Sequence, residues 1–102
     1  MFYKIWVDDI RHPLNTDWLW CKTVNQAKNL VEILENTKEE IVLIFVDHDA
    51  GDFAVDGGDY IKLLDYLERV MISIPIRIHS MNPVGRENMR AIIRRNGWKE
   101  IL

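Results

Sequence analysis

The chain has 102 residues, of which 48% are hydrophobic and 28% charged, a composition that is ordinary for one folded domain and excludes a disordered or fibrous chain. Its formal net charge of -3 argues against the strongly basic surface with which a domain binds a nucleic-acid backbone non-specifically. No apolar run approaches the ~20 residues needed to span a bilayer and the N-terminus has no signal-peptide pattern, so we expect a single cytoplasmic domain over residues 1–102, with no membrane contact.

The first half of the chain predicts two short strands, a helix and a longer strand. Tyr3–Val7 is apolar and β-favouring, and Trp18–Cys21 forms a second short strand after a loop. Thr23 caps a helix that ends near Asn36 and has apolar residues at helical spacing. Ile41–Val46 is continuously apolar, which is typical of a central parallel strand that is buried on both faces.

The second half predicts helices on either side of one more strand. The glycine-rich segment Gly51–Gly58 is expected to be a loop, followed by a helix over Asp59–Val70. Pro75–Ser80 is predicted as a strand, with its proline at the first position, where the missing N–H costs least. A helix over Gly85–Asn96 and a last edge strand over Trp98–Leu102 complete the chain.

Helices that separate strands by about a dozen residues require right-handed crossovers, and these produce a parallel sheet covered on both faces. We therefore predict an α/β fold with a doubly wound parallel sheet of about five strands. Ligands of such sheets bind at the carboxyl ends of the strands, so the residues that follow the strands are the candidate functional residues.

Aspartates follow two of the predicted strands. Asp8 and Asp9 come after the first strand and Asp47 after the central one. Clustered carboxylates repel one another and favour a hard divalent cation such as Mg²⁺, which takes oxygen ligands. The alternative is that these aspartates only end strands and solvate loops.

Two of the three histidines also follow buried strands. His48 and His79, facing one pocket, would be suited to pass a proton to and from a phosphoester, because the imidazole pKa lies near neutrality. The alternative is that each is a hydrogen-bonded bystander.

A phosphate site is predicted beside these histidines. Ser80 is a hydrogen-bond donor, and Asn82 leads into a helix whose free N–H groups, with Arg86, form an anion site. Arg11 is a further candidate phosphate ligand. The alternative for Ser80 and Asn82 is a turn and a helix cap. The four tryptophans (Trp6, Trp18, Trp20 and Trp98) are expected to pack in the core or at its edges rather than to form a base-stacking platform.

The order of these residues resembles the receiver domain of two-component response regulators, which has a flavodoxin-like fold. The resemblance implies that Asp8, Asp9 and Asp47 hold Mg²⁺, that Asp47 accepts a phosphoryl group and that Ser80 occupies the family's hydroxyl position. The chain departs from the pattern in three ways: the first helix is reduced or missing, so is the last, and the family's lysine has no clear counterpart, since Lys99 lies within or before the last strand.

Three longer segments resemble the cyclic-phosphate processing receiver-like family more closely. They are Trp6–Pro13, Val46–Asp49 and Ile78–Met89, and the likeness covers nearly the whole chain. This resemblance implies a receiver-like fold and an activity on the cyclic phosphate ends of RNA or nucleotides.

The leading hypothesis is a phosphoesterase that opens a cyclic phosphodiester, with a metal ion held by the aspartates, or in a metal-free variant with the histidines alone. The rival is a non-enzymatic receiver-like module that binds a phosphorylated ligand or protein, with Asp47 as its phosphoacceptor. A third possibility is a degenerate domain retained for assembly. A homodimer through the edge strands Trp18–Cys21 or Trp98–Leu102 is a further expectation.

Overall fold

The computed structural model describes all 102 residues. Its strands and α-helices, in chain order, are β1 (Phe2–Val7), β2 (Trp18–Cys21), α1 (Val24–Asn36), β3 (Glu40–Val46), α2 (Ile61–Val70), β4 (Ile76–Ile78) and α3 (Pro83–Asn96). A short 3₁₀ helix, Gly51–Val55, lies within the segment that was predicted to be a loop. The strands form one parallel sheet in the order β2-β1-β3-β4. The predicted receiver-like α/β fold is confirmed.

The predicted last strand is reduced to a single bridge. Glu100 pairs with Ile76 in parallel orientation, and no other residue of the segment Trp98–Leu102 extends the sheet. The Ile76 N–H donates to the Lys99 carbonyl at 2.9 Å, and the Ile101 N–H donates to the Ile76 carbonyl at 2.8 Å. The sheet therefore has four strands and one bridging residue, where about five strands were predicted.

The helix ends follow from capping residues. Thr23 caps α1 as predicted, because its hydroxyl accepts from the Gln26 N–H at 3.0 Å in a reciprocal capping box. Helix α3 begins at Pro83, two residues earlier than Gly85, since proline at the first helical position loses no hydrogen bond and Asn82 caps the free N–H groups. None of the three helices is both long and apolar enough to cross a membrane.

The core lies between one face of the sheet and all three helices. Ile5, Ile44 and Ile76, on three adjoining strands, pack in one cluster with Leu64 of α2 and Met89 of α3. Val24, Ala27, Val31 and Leu34 of α1 belong to the same cluster. The side chains on the opposite face of the sheet are outside it.

The handedness of the connections explains why one face has no helix. The connections that contain α1, α2 and α3 all step in the same direction along the sheet, so right-handed crossovers place all three helices on the same face. Only the connection from β1 to β2 steps the other way, and its residues 8–17 contain no helix. The missing first helix was predicted. The double winding is present in the strand order, but all three helices occupy one face, so the prediction of a sheet covered on both faces was wrong.

Candidate metal and phosphate site

Three aspartates meet at the carboxyl ends of β1 and β3, which are neighbours in the sheet. Asp8 and Asp9 follow β1 and Asp47 follows β3, and one carboxylate oxygen of each lies within 4.8 Å of the others. Asp8 is buried, whereas Asp9 and Asp47 are half-buried and reach solvent. The structure thus brings the three predicted metal ligands together at one edge of the sheet.

Backbone hydrogen bonds hold two of these carboxylates. Asp8 Oδ1 accepts from the N–H groups of Ile10 and Arg11, each at 3.0 Å, and so orders the start of the β1–β2 connection. Asp47 Oδ1 accepts from the His48 N–H at 2.7 Å. One oxygen of each carboxylate is therefore used by the protein, and Oδ2 has no hydrogen bond to another part of the chain.

The charges of the cluster repel one another. Burial raises the pKa of Asp47 above its usual value, and the charges of Asp8, Asp49 and Asp9 raise that pKa further. Burial also raises the pKa of Asp9, with a contribution from Asp8. A divalent cation would offset this repulsion, and carboxylate oxygens are the ligands that Mg²⁺ prefers. The donor set therefore fits a hard cation.

His48 is fixed between an acidic side chain and α3. Its Nδ1 lies 2.7 Å from Asp49 Oδ1, and because an ionised carboxylate can only accept, Nδ1 bears the proton in this contact. A Cβ atom on Gly85 would lie 2.5 Å from His48 Cγ, so the first turn of α3 rests on the ring only because residue 85 is glycine. The donor atoms of His48, Asp49 and Asp59 also lie within 4.8 Å of one another. Sequence reasoning identified neither Gly85 nor Asp59.

His79 lies on the helix-free face of the sheet. Its ring stacks on Phe45 with the centroids 5.2 Å apart. Burial lowers the pKa of His79, and the Arg11 guanidinium lowers it further against the opposing effect of Asp8, which favours the neutral form of the ring. His48 instead contacts α3. The two histidine rings therefore lie on different sides of the sheet, whereas the sequence predicted that they face one pocket.

Three of the four predicted phosphate ligands form one turn after β4. Ser80 Oγ accepts from the Asn82 N–H at 3.1 Å, and Asn82 Oδ1 accepts from the Gly85 N–H at 3.0 Å. The Arg86 guanidinium donates to the Ser80 carbonyl at 3.4 Å. Ser80 and Asn82 thus serve the turn and the helix cap, and the Asn82 amide N–H₂ and the remaining Arg86 donors are free for a ligand. Arg11 lies apart from this turn, in the β1–β2 connection.

An aromatic cleft adjoins the site on the helix-free face. Its volume is about 360 Å³, and its lining residues are Trp6, Arg11, Leu14, Trp18, Leu43, Phe45, Arg77 and His79. Trp6 and Phe45 are buried against each other, with parallel rings 4.1 Å apart, as the packing prediction requires. Trp18 is half-exposed. Sequence reasoning missed Arg77, although the missing first helix leaves this face of the sheet open.

The comparisons with known proteins give one match. The family model described as "Cyclic-phosphate processing Receiver domain" matches residues 3–95, which is nearly the whole chain. Searches of curated proteins and of solved structures found no match. The matched range includes the three aspartates, both candidate catalytic histidines and the turn after β4. The chain therefore belongs to the cyclic-phosphate processing receiver domain family.

Proposed function

We propose that this protein is a phosphoesterase that hydrolyses the cyclic phosphate of a nucleotide or of an RNA end with the help of a divalent cation. The observation that carries the proposal is the cluster of Asp8, Asp9 and Asp47, whose oxygens lie within 4.8 Å of one another at the edge of the sheet where His48 and His79 follow β3 and β4. A phosphodiester is an anion, so a site of three carboxylates requires a cation to accept it.

The carboxylates would hold Mg²⁺ or a similar ion. When bound, the ion supplies positive charge that offsets the charge developing on the phosphate oxygens. Asp47 links the cluster to His48, since its Oδ1 accepts the His48 N–H at 2.7 Å, and His79 follows the neighbouring strand β4 at the same edge of the sheet. Arg11, from the β1–β2 connection, and Ser80, Asn82 and Arg86, from the turn after β4, would hold the phosphate.

Hydrolysis requires two proton transfers. Water attacks phosphorus and loses a proton, the bond from phosphorus to one ribose oxygen breaks, and that oxygen gains a proton to give a phosphate monoester. The lowered pKa of His79 favours its neutral form, which would accept the proton from water. His48 would start the step with a proton on each ring nitrogen, its Nδ1–H held by Asp49, and would donate its Nε2 proton to the ribose oxygen. After the reaction one proton returns from His79 to His48 through solvent.

The proposal is tested by hydrolysis of a 2′,3′-cyclic nucleotide with Mg²⁺, with Mn²⁺ and with EDTA. We expect metal-dependent turnover that each of the variants His48→Ala and His79→Ala lowers by the ~10²- to 10⁴-fold typical of lost acid–base catalysis. His12→Ala is the matched control, since His12 is exposed and contacts Trp20. Turnover that persists in EDTA would favour the metal-free mechanism. If His79→Ala loses turnover and His48→Ala does not, His48 has a packing role and no catalytic one.

The rival function is a receiver-like module without turnover. The position of Asp47 favours it, because this carboxylate ends β3 beside two others and its Oδ2 makes no hydrogen bond within the chain. Treatment with acetyl phosphate and Mg²⁺ would then add one phosphoryl group to the wild-type protein and none to Asp47→Asn, as measured by intact mass. If Asp47 is phosphorylated and no cyclic phosphate is hydrolysed, the protein is a receiver-like module and not an esterase.

A further inference from the structure

We propose that the aromatic cleft on the helix-free face is the binding site for the base of the substrate nucleotide. This inference rests on the proposed function, since it places the base beside a phosphate held at the aspartates. It assigns a role to Trp18 and Arg77, which the catalytic proposal does not use. The expected substrates are cyclic phosphates that carry a nucleobase, rather than cyclic phosphates of simple alcohols.

Among the tryptophan and phenylalanine side chains that line the cleft, Trp18 has no stacking partner. Trp6 and Phe45 are stacked on each other at an interplanar angle of 9° and are buried. Trp18 meets Trp6 edge-on, at 78° with the centroids 5.2 Å apart, so no other ring lies face to face with it. A planar base that stacks on Trp18 would take the place of the Lys4 ammonium, which lies over the ring 4.7 Å from its centroid on a flexible side chain. Stacking of bases on tryptophan is a common source of affinity for nucleotides.

The charge of the cleft favours an anionic ligand. Arg11 and Arg77 line it, the Lys4 ammonium lies 4.7 Å from the Trp18 ring centroid, and no acidic residue is among the lining residues. This concentration of cations is notable in a chain whose formal net charge is -3. A cleft that is both aromatic and cationic matches a nucleotide, and its volume of about 360 Å³ lies within the range of small-molecule sites.

The cleft and the aspartate cluster share a wall. Arg11 lines the cleft, while its backbone N–H donates to Asp8 Oδ1 at 3.0 Å and its carbonyl accepts from Trp6 Nε1 at 2.9 Å. His79 lines the cleft as well and is the proposed proton acceptor. A nucleotide whose phosphate is at the aspartates therefore has its nucleoside directed to this face. A second copy of the chain fits less well, because a symmetric contact would bring the arginines of both copies together.

The test compares two substrates in three proteins. Adenosine 2′,3′-cyclic phosphate and glycerol 1,2-cyclic phosphate are assayed for turnover with wild type, Trp18→Ala and Arg77→Ala, and the affinity for adenosine 3′-monophosphate is measured by calorimetry. Tyr66→Ala is the matched control, because Tyr66 is a half-buried aromatic residue of α2 flanked by Lys28 and Arg69 on the other face. We expect Trp18→Ala to raise KM and Kd for the adenosine compounds by about 5- to 150-fold, the range of base stacking.

The outcomes separate this inference from the proposed function. Equal KM values for the two substrates, or an unchanged Kd in Trp18→Ala, would overturn base binding while leaving the esterase in place. Absence of turnover for both substrates, with nucleotide binding that depends on Trp18, would overturn the esterase and support the base site. A protein that is dimeric until Trp18 is replaced, with unchanged nucleotide affinity, would assign the face to a second copy and overturn the inference.

Discussion

Asp47 shows how a residue of a functional site can reduce the stability of the fold that carries it. Its pKa is raised by burial and by three neighbouring carboxylates, so the folded protein binds this proton more tightly than the unfolded chain does. At a pH above the raised pKa, the ionised carboxylate therefore destabilises the metal-free protein. The destabilisation is complete above the raised pKa and is lost as the pH falls through it towards the ordinary value.

We therefore expect Asp47→Asn to raise the Tm of the metal-free protein at pH 7. A gain of about 1 kcal/mol corresponds to a rise of about 4–8 °C in a domain of this size. The difference from wild type should shrink as the pH is lowered, and Mg²⁺ should raise the Tm of wild type more than that of the variant. Calorimetry with and without Mg²⁺ measures both effects.

Asp56→Asn is the control for this prediction. Asp56 is exposed and accepts a hydrogen bond from Asn25 at 2.9 Å, which lowers the pKa of Asp56, so its ionised form stabilises the fold. Replacement of this aspartate should not raise the Tm. An Asp47→Asn variant that is no more stable than wild type would contradict the proposed repulsion within the cluster.

Some residues of the candidate site were predictable from the sequence and others were not. Asp8, Asp9 and Asp47 were found because strand ends are visible in the sequence and parallel strands end at one edge. The orientation of His48 could not be predicted, because its ring contacts Gly85, which lies 37 positions further along the chain. The glycine in the first turn of α3 was the available signal, because a helix interior disfavours glycine unless something approaches it closely.

At the scale of elements, the turn after β4 combines a structural and a proposed ligand-binding task in Asn82. Its Oδ1 caps α3, and its amide N–H₂ is the proposed phosphate ligand. We expect Asn82→Ala to cost about 0.5–2 kcal/mol in the free energy of unfolding, whereas Asn82→Ser keeps a capping oxygen and most of the stability. Urea unfolding measures this difference.

Enzyme kinetics then separates the two tasks. If the amide binds phosphate, Asn82→Ser should have an increased KM despite its near-normal stability. A KM equal to that of wild type in this variant would limit Asn82 to its role as a cap.

The elements themselves were largely predictable. Continuous apolar residues identified β3, and the capping residue of α1 identified its start. The last strand was overpredicted, because Trp98 packs against the core and the segment makes only one bridge, between Glu100 and Ile76. Composition alone does not distinguish an edge strand from an extended segment that makes one bridge.

At the scale of the whole molecule, the two edges of the sheet differ. Residues 99–101 partly cover the β4 edge, while β2 has no neighbour beyond β1. The Cys21 carbonyl accepts from the Asp8 N–H and so points to β1; alternate residues of a strand point to opposite sides, which leaves the backbone of Trp18 and Trp20 directed outward. The proposed homodimer would therefore form by pairing of the exposed β2 edges of two copies.

Hydrogen exchange tests this assignment. If two copies pair through β2, the N–H groups of Trp18 and Trp20 should become protected as the protein concentration rises, and those of Leu19 and Cys21 should be protected at every concentration. A chain that sediments as a monomer at high concentration, with fast exchange at both tryptophans, would exclude the dimer.

The missing first helix was predicted, but the helix-free face that results from it was not, because a sheet covered on both faces was expected. The short β1–β2 connection indicated that the first helix is missing. Because crossovers are right-handed, this is the one connection that crosses the face opposite the helices. The alternation of Lys4 and Trp6 on β1, with Trp18 on β2, then places aromatic and cationic side chains on it. The packing of these rings against each other depends on tertiary contacts that no local pattern specifies.

The length of the β1–β2 connection consequently decides between two uses of one surface. A connection long enough to form a helix would lay that helix over Trp6, Trp18 and Phe45, and the rings would become a second hydrophobic core with a gain in stability. With only residues 8–17 available, the rings instead remain accessible to small molecules. Insertions at this one loop could therefore interconvert a stable three-layer scaffold and a two-layer receptor without changing any strand.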